Sequence, residues 1–219
     1  MLAVAFDVGG TLYIAPDFDA VVEDQAYASL AAARTCSIAD AKEMLRAQQK
    51  ANYEQSGDTS KVRALEALGV SREAFQEAAA ELDPAPFLAN APPIGSLLVG
   101  LTERGIKIGV LSNFKERLVR KVFGCLSADW DMVDASICVD DGLPIKPNLA
   151  PFRVLCKRLG VAPDRTVFVG DSVAKDLTPA KRLGMATVLV ARAGGGEQDR
   201  SIVDYWVDSA DAVIDLVGS

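Results

Sequence analysis

Short apolar runs recur along the chain, each closed by polar residues or glycine, and their spacing predicts the fold before any chemistry is considered. Residues 3–8 form the first run and are followed by Gly9-Gly10, the pattern of a buried strand that ends in a tight turn. Residues 106–111, 135–139, 166–169 and 186–190 repeat it, each short, rich in branched aliphatics and bounded by Gly, Asp, Asn or Arg. Residues 115–123, 149–159 and 176–183 lie between these runs and carry helical spacing. Strand alternating with helix predicts a parallel sheet with helices on both faces, a three-layer Rossmann-like α/β core. Near the end, Gly194-Gly195-Gly196 reads as a surface loop, residues 203–207 as a last short strand and residues 210–217 as a final helix.

One stretch breaks the alternation. From residue 18 to 82 no strand pattern is found, only alanine-rich, charged segments with helical spacing at 18–34, 38–53, 60–68 and 72–82. The prolines of Asp83-Pro84-Ala85-Pro86 and Ala91-Pro92-Pro93 forbid helix continuation and mark the exit. The expected division is therefore a core of residues 1–15 and 92–219 with an all-helical domain, residues 16–91, inserted after the first strand.

Composition narrows the chemistry. The chain has 219 residues, half of them hydrophobic, enough for one large domain or one domain carrying a smaller insertion. Its net charge is -7 and its basic residues are dispersed, which disfavours nucleic acid or an anionic membrane as partner. No apolar stretch approaches the ~20 residues of a membrane span, and the opening MLAVAFDVGG lacks a basic leader. Cys36, Cys125, Cys138 and Cys156 are scattered without a C-x-x-C pair and read as reduced, mostly buried thiols. A soluble cytoplasmic protein is expected. Histidine is absent, so histidine bases, histidine zinc ligands and Ser-His or Cys-His dyads are excluded.

In a parallel sheet, ligands bind beyond the carboxyl ends of the strands, and four such places carry chemistry. Asp7-Val8-Gly9-Gly10-Thr11-Leu12 offers a carboxylate followed by glycines that let backbone amides approach a ligand, although an aspartate capping a turn has the same appearance. Ser112-Asn113 follows the 106–111 run and could hold phosphate oxygens, or simply cap a helix. Pro144-Ile145-Lys146-Pro147 sets a lysine between prolines, where a solvated surface charge is the commoner explanation. Gly170-Asp171-Ser172 with Asp176 places two acids where they can share a hard cation, or where Asp176 merely favours a helix dipole.

Taken in order, D-x-G-G-T-L, L-S-N, K-P and V-G-D-S-x-x-x-D resemble the motif series of the haloacid dehalogenase superfamily, mostly magnesium-dependent phosphatases, across nearly the whole chain. The helical insertion matches the position of that family's cap domain. The resemblance implies that Asp7 is the nucleophile, forming an aspartyl-phosphate, and that Thr11, Ser112 and Asn113 bind the transferring group. It implies that Lys146 offsets the charge of nucleophile and phosphate, and that Mg²⁺ is held by Asp7, the backbone carbonyl of Gly9, Asp171 and Asp176. The substrate expected is a small phosphorylated metabolite, acted on by a monomer or homodimer.

The match breaks at one position. The family's phosphatases carry a second aspartate two residues after the nucleophile, serving as general acid and base, and here that residue is Gly9. Losing such a group costs roughly 10²- to 10⁴-fold in rate, or about 3 to 5 kcal/mol of barrier. The favoured reading is a phosphatase whose substrate has a good leaving group, or one that borrows a proton donor from Tyr13, Asp17, Asp19 or Glu23, residues named for their sequence proximity alone. Other readings stay open. Dehalogenases of the superfamily lack the second acid and need no metal, but Asp171 and Asp176 would then be superfluous. Phosphonoacetaldehyde hydrolases rely on a cap lysine, for which Lys42 and Lys50 are candidates among ordinary helix-surface lysines. A protein that only binds a phosphorylated ligand would explain the missing acid but not the survival of Asp7, Lys146 and Asp171. D-x-G-G-T also resembles the first phosphate loop of actin-like sugar kinases, a reading that leaves the later motifs unexplained.

Overall fold

The structure is a computed structural model that describes residues 1–56, 60–190 and 201–217. The chain divides into two compact units, one of Met1–Ala15 with Pro84–Ser219 and one of Pro16–Asp83.

Among the described residues of the first unit, six strands form one sheet: β1 (Ala3–Phe6), β2 (Lys107–Leu111), β3 (Ala135–Ile137), β4 (Thr166–Gly170), β5 (Ala186–Val190) and β6 (Tyr205–Val207). Their order is β3-β2-β1-β4-β5-β6 and every neighbouring pair is parallel. The α/β class expected from the alternating pattern is what the chain forms. β1 and β4 are buried along their whole length, on both faces, which is why they read as continuous apolar runs rather than as an apolar–polar alternation. The chain order reverses direction between β1 and β4, and such a switch point opens a crevice beyond the carboxyl ends of the strands.

Among its described residues the Pro16–Asp83 unit has helices and no strand: α1 (Pro16–Arg34), α2 (Ile38–Ser56), α3 (Lys61–Ala67) and α4 (Arg72–Glu81). Helix α1 buries Phe18, Val22, Ala26 and Leu30, one residue per turn along a single stripe, and packs on α2 and α4. Ser60 and Ser71 cap α3 and α4 by accepting the Arg63 and Ala74 amides.

The sheet unit resumes at Pro84, where the sequence predicts residue 92. Despite its prolines, the segment between forms a short helix, α5 (Ala85–Leu88), that packs on α7 (Glu116–Cys125) and buries Leu88, so it belongs with the sheet. Helix α6 (Gly95–Glu103) has no counterpart among the predicted elements. Gly95 and Gly100 weaken its helical propensity, yet Leu97, Leu98 and Leu101 are buried and the helix packs on β2. Helix α8 (Leu149–Leu159) lies against β2 and β3, with Leu155 and Leu159 in a core shared with Ala3, Ala5 and Phe168. The helix predicted for 176–183 is found as α9 (Thr178–Arg182), and a wide π turn, Val173–Leu177, precedes it. The last strand is three residues long, and α10 (Val213–Val217) closes the described chain. Gly194-Gly195-Gly196 lies outside the described residues.

All four cysteines are free thiols, with Cys138 and Cys156 buried and Cys36 and Cys125 half-buried. Among the described residues no helix is long and apolar enough to cross a membrane.

The close seating of α8 depends on a glycine in β2. A Cβ on Gly109 would lie 3.1 Å from Leu159 Cδ1, 3.3 Å from Ala5 Cβ and 3.4 Å from Leu155 Cδ2. Gly109→Val should therefore overpack this face and cost about 1 to 3 kcal/mol of unfolding free energy in urea titrations, with an unchanged midpoint contradicting the packing described.

Candidate active site

Four elements bring their first polar residues to the carboxyl edge of the sheet. Phe6 of β1 is level with Val110 of β2 and Val169 of β4, so Asp7 is the residue at which the buried strand opens. Its amide still donates to the Val169 carbonyl at 2.9 Å, which fixes the backbone while the side chain leaves the sheet. Beyond it the chain turns back tightly. Gly10 takes φ +81°, a left-handed conformation that glycine adopts without steric cost, and its amide donates to the Tyr13 carbonyl at 2.9 Å. The turn returns the Thr11 hydroxyl to Asp7, where it donates to Oδ2 at 3.0 Å.

Lys146 approaches from the segment after β3. Its Nζ donates to Asp7 Oδ1 at 2.5 Å and to Asp176 Oδ1 at 2.7 Å, and the residue is 5 % exposed. Asn113 holds its backbone from the end of β2. The Lys146 amide donates to Asn113 Oδ1 at 2.9 Å, and Asn113 Nδ2 donates to the Lys146 carbonyl at 3.3 Å. The amide expected on phosphate oxygens thus holds the lysine loop. Ser112 donates its backbone N–H to Ile137 and accepts the Phe114 amide on Oγ at 3.2 Å, which leaves its own proton available to donate.

The last two acids follow β4. The π turn at Val173–Leu177 folds Asp176 back over the strand end, where its Oδ2 accepts the Ser172 amide at 3.1 Å. That return is possible only because residue 170 is glycine, since a Cβ there would lie 2.5 Å from Asp176 Cβ. Asp7, Asp171 and Asp176 each present a carboxylate oxygen within 4.8 Å of the others. Three carboxylates against one ammonium leave an excess of negative charge, and an all-oxygen donor set of this kind suits a hard divalent cation.

A family model for haloacid dehalogenase-like hydrolases matches residues 1–184. The chain belongs to the haloacid dehalogenase-like hydrolase family. The hydrolase is 33% identical over 126 residues to the glyceraldehyde 3-phosphate phosphatase of Methanocaldococcus jannaschii, a match over 55% of this chain and 53% of that one. It thus spans about half the length of that relative. It is 28% identical to the N-acetylmuramic acid 6-phosphate phosphatase of Pseudomonas aeruginosa over 97% of this chain and 90% of that one. The fold matches the crystal structure of a HAD phosphatase from Thermococcus onnurineus with a TM-score of 0.72, at 23% identity and over 100% and 98% of the two chains.

The candidate proton donors divide between the two units. Asp17 and Asp19 are exposed in the first turn of α1, and Glu23 accepts a hydrogen bond from the Tyr27 hydroxyl, all within the helical unit. In that unit Lys50 is a solvated ion-pair partner of Glu54 at 3.8 Å, and the Lys42 ammonium lies 5.4 Å over the Tyr27 ring. Tyr13 belongs to the sheet unit. A Cβ on Gly9 would meet its hydroxyl at 3.3 Å. With Thr11 and Leu12, Tyr13 also lines a largely apolar cavity of about 310 Å³ within the sheet unit, shared with Phe87, Ile94 and Val190.

Sequence reasoning passed over the room that Gly170 leaves for Asp176 and the double hold of Asn113 on Lys146. Neither has a local signal, because both depend on residues that meet only when the sheet has formed.

The hydrolase's charge cluster is strained electrostatically. Burial and the neighbouring carboxylates of Asp7 and Asp171 push the Asp176 carboxyl up to about 7, against the pull of Lys146. Burial also works against the Lys146 ammonium, but Asp176 and Asp7 outweigh it and raise its pKa, so the lysine stays charged. A carboxyl that ionises at 3.8 when free and near 7 when folded stabilises the fold fully below the first value, and that contribution is lost as pH rises through the second. In EDTA, the melting temperature of the hydrolase should fall with rising pH between about 4 and about 7 more steeply than that of Asp176→Asn. Parallel curves would remove the basis for this assignment.

Proposed function

We propose that this hydrolase is a phosphatase for a small phosphorylated metabolite, working through an aspartyl-phosphate on Asp7. The observation that carries the reading is the buried lysine that joins Asp7 to Asp176. Phosphoryl transfer asks little covalent chemistry of a protein beyond a positioned nucleophile and positive charge at the phosphoryl oxygens. Thr11 and Lys146 hold one oxygen each of the Asp7 carboxylate, which orients it for attack. As the phosphoryl group arrives, Lys146 offsets the combined charge, and the Ser112 hydroxyl serves as donor to an oxygen of the transferring group. Asn113 acts indirectly, keeping Lys146 at that position through its backbone.

The donor set of Asp7, Asp171 and Asp176 fits Mg²⁺, and these carboxylates together with the Gly9 carbonyl would be its ligands. When bound, the ion supplies a Lewis-acidic positive charge to the phosphoryl oxygens. The names of the relatives support the substrate class, since both glyceraldehyde 3-phosphate and N-acetylmuramic acid 6-phosphate are small soluble phosphate monoesters. Dehalogenation, another chemistry of the family, needs no cluster of three acids such as Asp7, Asp171 and Asp176. The helical unit, spliced into the chain between β1 and the remaining strands, would act as a cap that selects the substrate. The free thiols suit a cytoplasmic enzyme, acting as a monomer or homodimer.

Release of inorganic phosphate from acetyl phosphate and p-nitrophenyl phosphate tests this reading. Mg²⁺ should support turnover, EDTA should abolish it, and Asp7→Asn should lower it by at least about a thousandfold. Turnover that survives either EDTA or Asp7→Asn would overturn the mechanism. A calorimetric rise in melting temperature with Mg²⁺, absent in Asp171→Asn, should accompany it.

A further inference from the structure

Phosphoryl transfer makes no use of the apolar cavity of the sheet unit. Among the described residues, its lining shares Thr11 with the catalytic cluster and includes none of Asp7, Ser112, Lys146, Asp171 or Asp176. Thr11 itself has its hydroxyl on Asp7. At about 310 Å³ the cavity has the volume of about ten liquid waters, at the lower end of the range of small-molecule pockets. Leu12, Phe87, Ile94 and Val190 give it walls that offer water no side-chain hydrogen bond, so an occupant with an apolar body suits it better.

The charged residues of the lining are both acids. Asp208 is exposed and Asp211 half-buried, and no lysine or arginine stands among the described lining residues. Asp211 lies in the short turn Ala210–Ala212 ahead of α10, between the buried Ala210 and Val213, so the packing of its neighbours carries it inward. Its Oδ1 is buried and has no hydrogen-bond partner. Burial pushes the Asp211 carboxyl up, with no cation or donor to oppose it. A buried carboxylate oxygen without a donor costs free energy that folds ordinarily avoid. Rotation about the Cβ–Cγ bond of aspartate is soft, so either oxygen can turn to an occupant of the cavity.

We propose that this cavity is a binding site for a small organic cation, an ammonium group on an apolar body, with Asp211 as its counter-ion. An ammonium N–H donates to the Asp211 carboxylate and supplies the donor that the fold withholds, while the apolar body covers Leu12, Phe87, Ile94 and Val190. Asp208, nearby and exposed, adds negative charge of the same sign. Two acids without a base select against other occupants. A carboxylate or phosphate is repelled by them, and a neutral hydrocarbon leaves Asp211 without a partner. The site is therefore distinct from the one that takes the phosphorylated substrate, and it stands whether or not the phosphatase reading does.

Calorimetric titration of the full chain with 2-phenylethylamine, 2-phenylethanol and 3-phenylpropanoate, which share a body and differ in charge, tests the assignment. The amine should bind at least about tenfold more tightly than the alcohol, and the carboxylate more weakly still. Asp211→Asn keeps the shape and removes the charge, and should bring the amine down to about the affinity of the alcohol. Ala91→Phe puts a ring into the cavity with both acids intact and should abolish binding of the amine. No binding of the amine, equal affinities for amine and alcohol, or an affinity unchanged in either variant would overturn the proposal. The titrations are run with and without Mg²⁺, because an ammonium can also sit on Asp7, Asp171 and Asp176. Equal affinity in both supports the cavity, whereas binding lost on adding Mg²⁺ places the amine on that cluster and overturns it. Should the variants fail to fold, amide chemical shifts of the wild-type chain decide. Changes centred on Leu12, Asp208 and Asp211 support the site, and changes centred on Asp171 and Asp176 overturn it.

Discussion

The buried ammonium of Lys146 lies between two carboxylates that come from distant parts of the chain, and most of the site exists to keep it there. Taking a lysine and two aspartates out of water is costly, and their mutual attraction offsets that cost only when the geometry is tight and the remaining lone pairs are satisfied. Each requirement is met by a different element. β1 supplies Asp7, the turn at Gly10 returns Thr11 to the second oxygen of Asp7, Asn113 grips the lysine's backbone at both polar groups, and the Ser172 amide takes the second oxygen of Asp176. The sheet order makes this possible, because β1 lies between β2 and β4 and the polar residues that follow all three strands meet at one edge.

A cluster built this way is not electrically neutral. Three acids face one base, and burial together with its neighbours pushes Asp176 up to about 7. The fold therefore holds a concentration of negative charge that favours a cation, and the same excess makes an arriving phosphate unwelcome unless positive charge is added. Lys146 provides part of it, and under the proposed function a divalent ion on the carboxylates would provide the rest. Structural strain and the proposed chemistry thus have one origin.

Two glycines shape the site by what they leave out. Gly170 gives Asp176 the room to fold back over the end of β4, where a Cβ at residue 170 would lie 2.5 Å from Asp176 Cβ. Gly9 leaves room that the Tyr13 hydroxyl enters. In both cases the side chain that fills the space lies a few residues further along the chain, beyond a tight turn, so the loss of a side chain at one position is matched by the placement of another.

Periodicity alone was enough for the α/β class and for the order of strand and helix, because buried parallel strands must be apolar on both faces and their connecting helices must carry one apolar stripe. Asp7, Ser112 and Asp171 could be singled out in the sequence because each directly follows an apolar run, where a parallel sheet places its ligands, whereas Lys146 stood out only through the motif series. Other features were illegible. Helix α6 was hidden by its glycines and α5 by its prolines, since local propensity is weak beside the apolar area each buries against the sheet unit. The hold of Asn113 on Lys146, the π turn that delivers Asp176, and the Tyr13 hydroxyl beside Gly9 were decided only by the tertiary structure. Each is a matter of distances between side chains on separate turns and strands, and sequence spacing does not encode such distances until the sheet has set them.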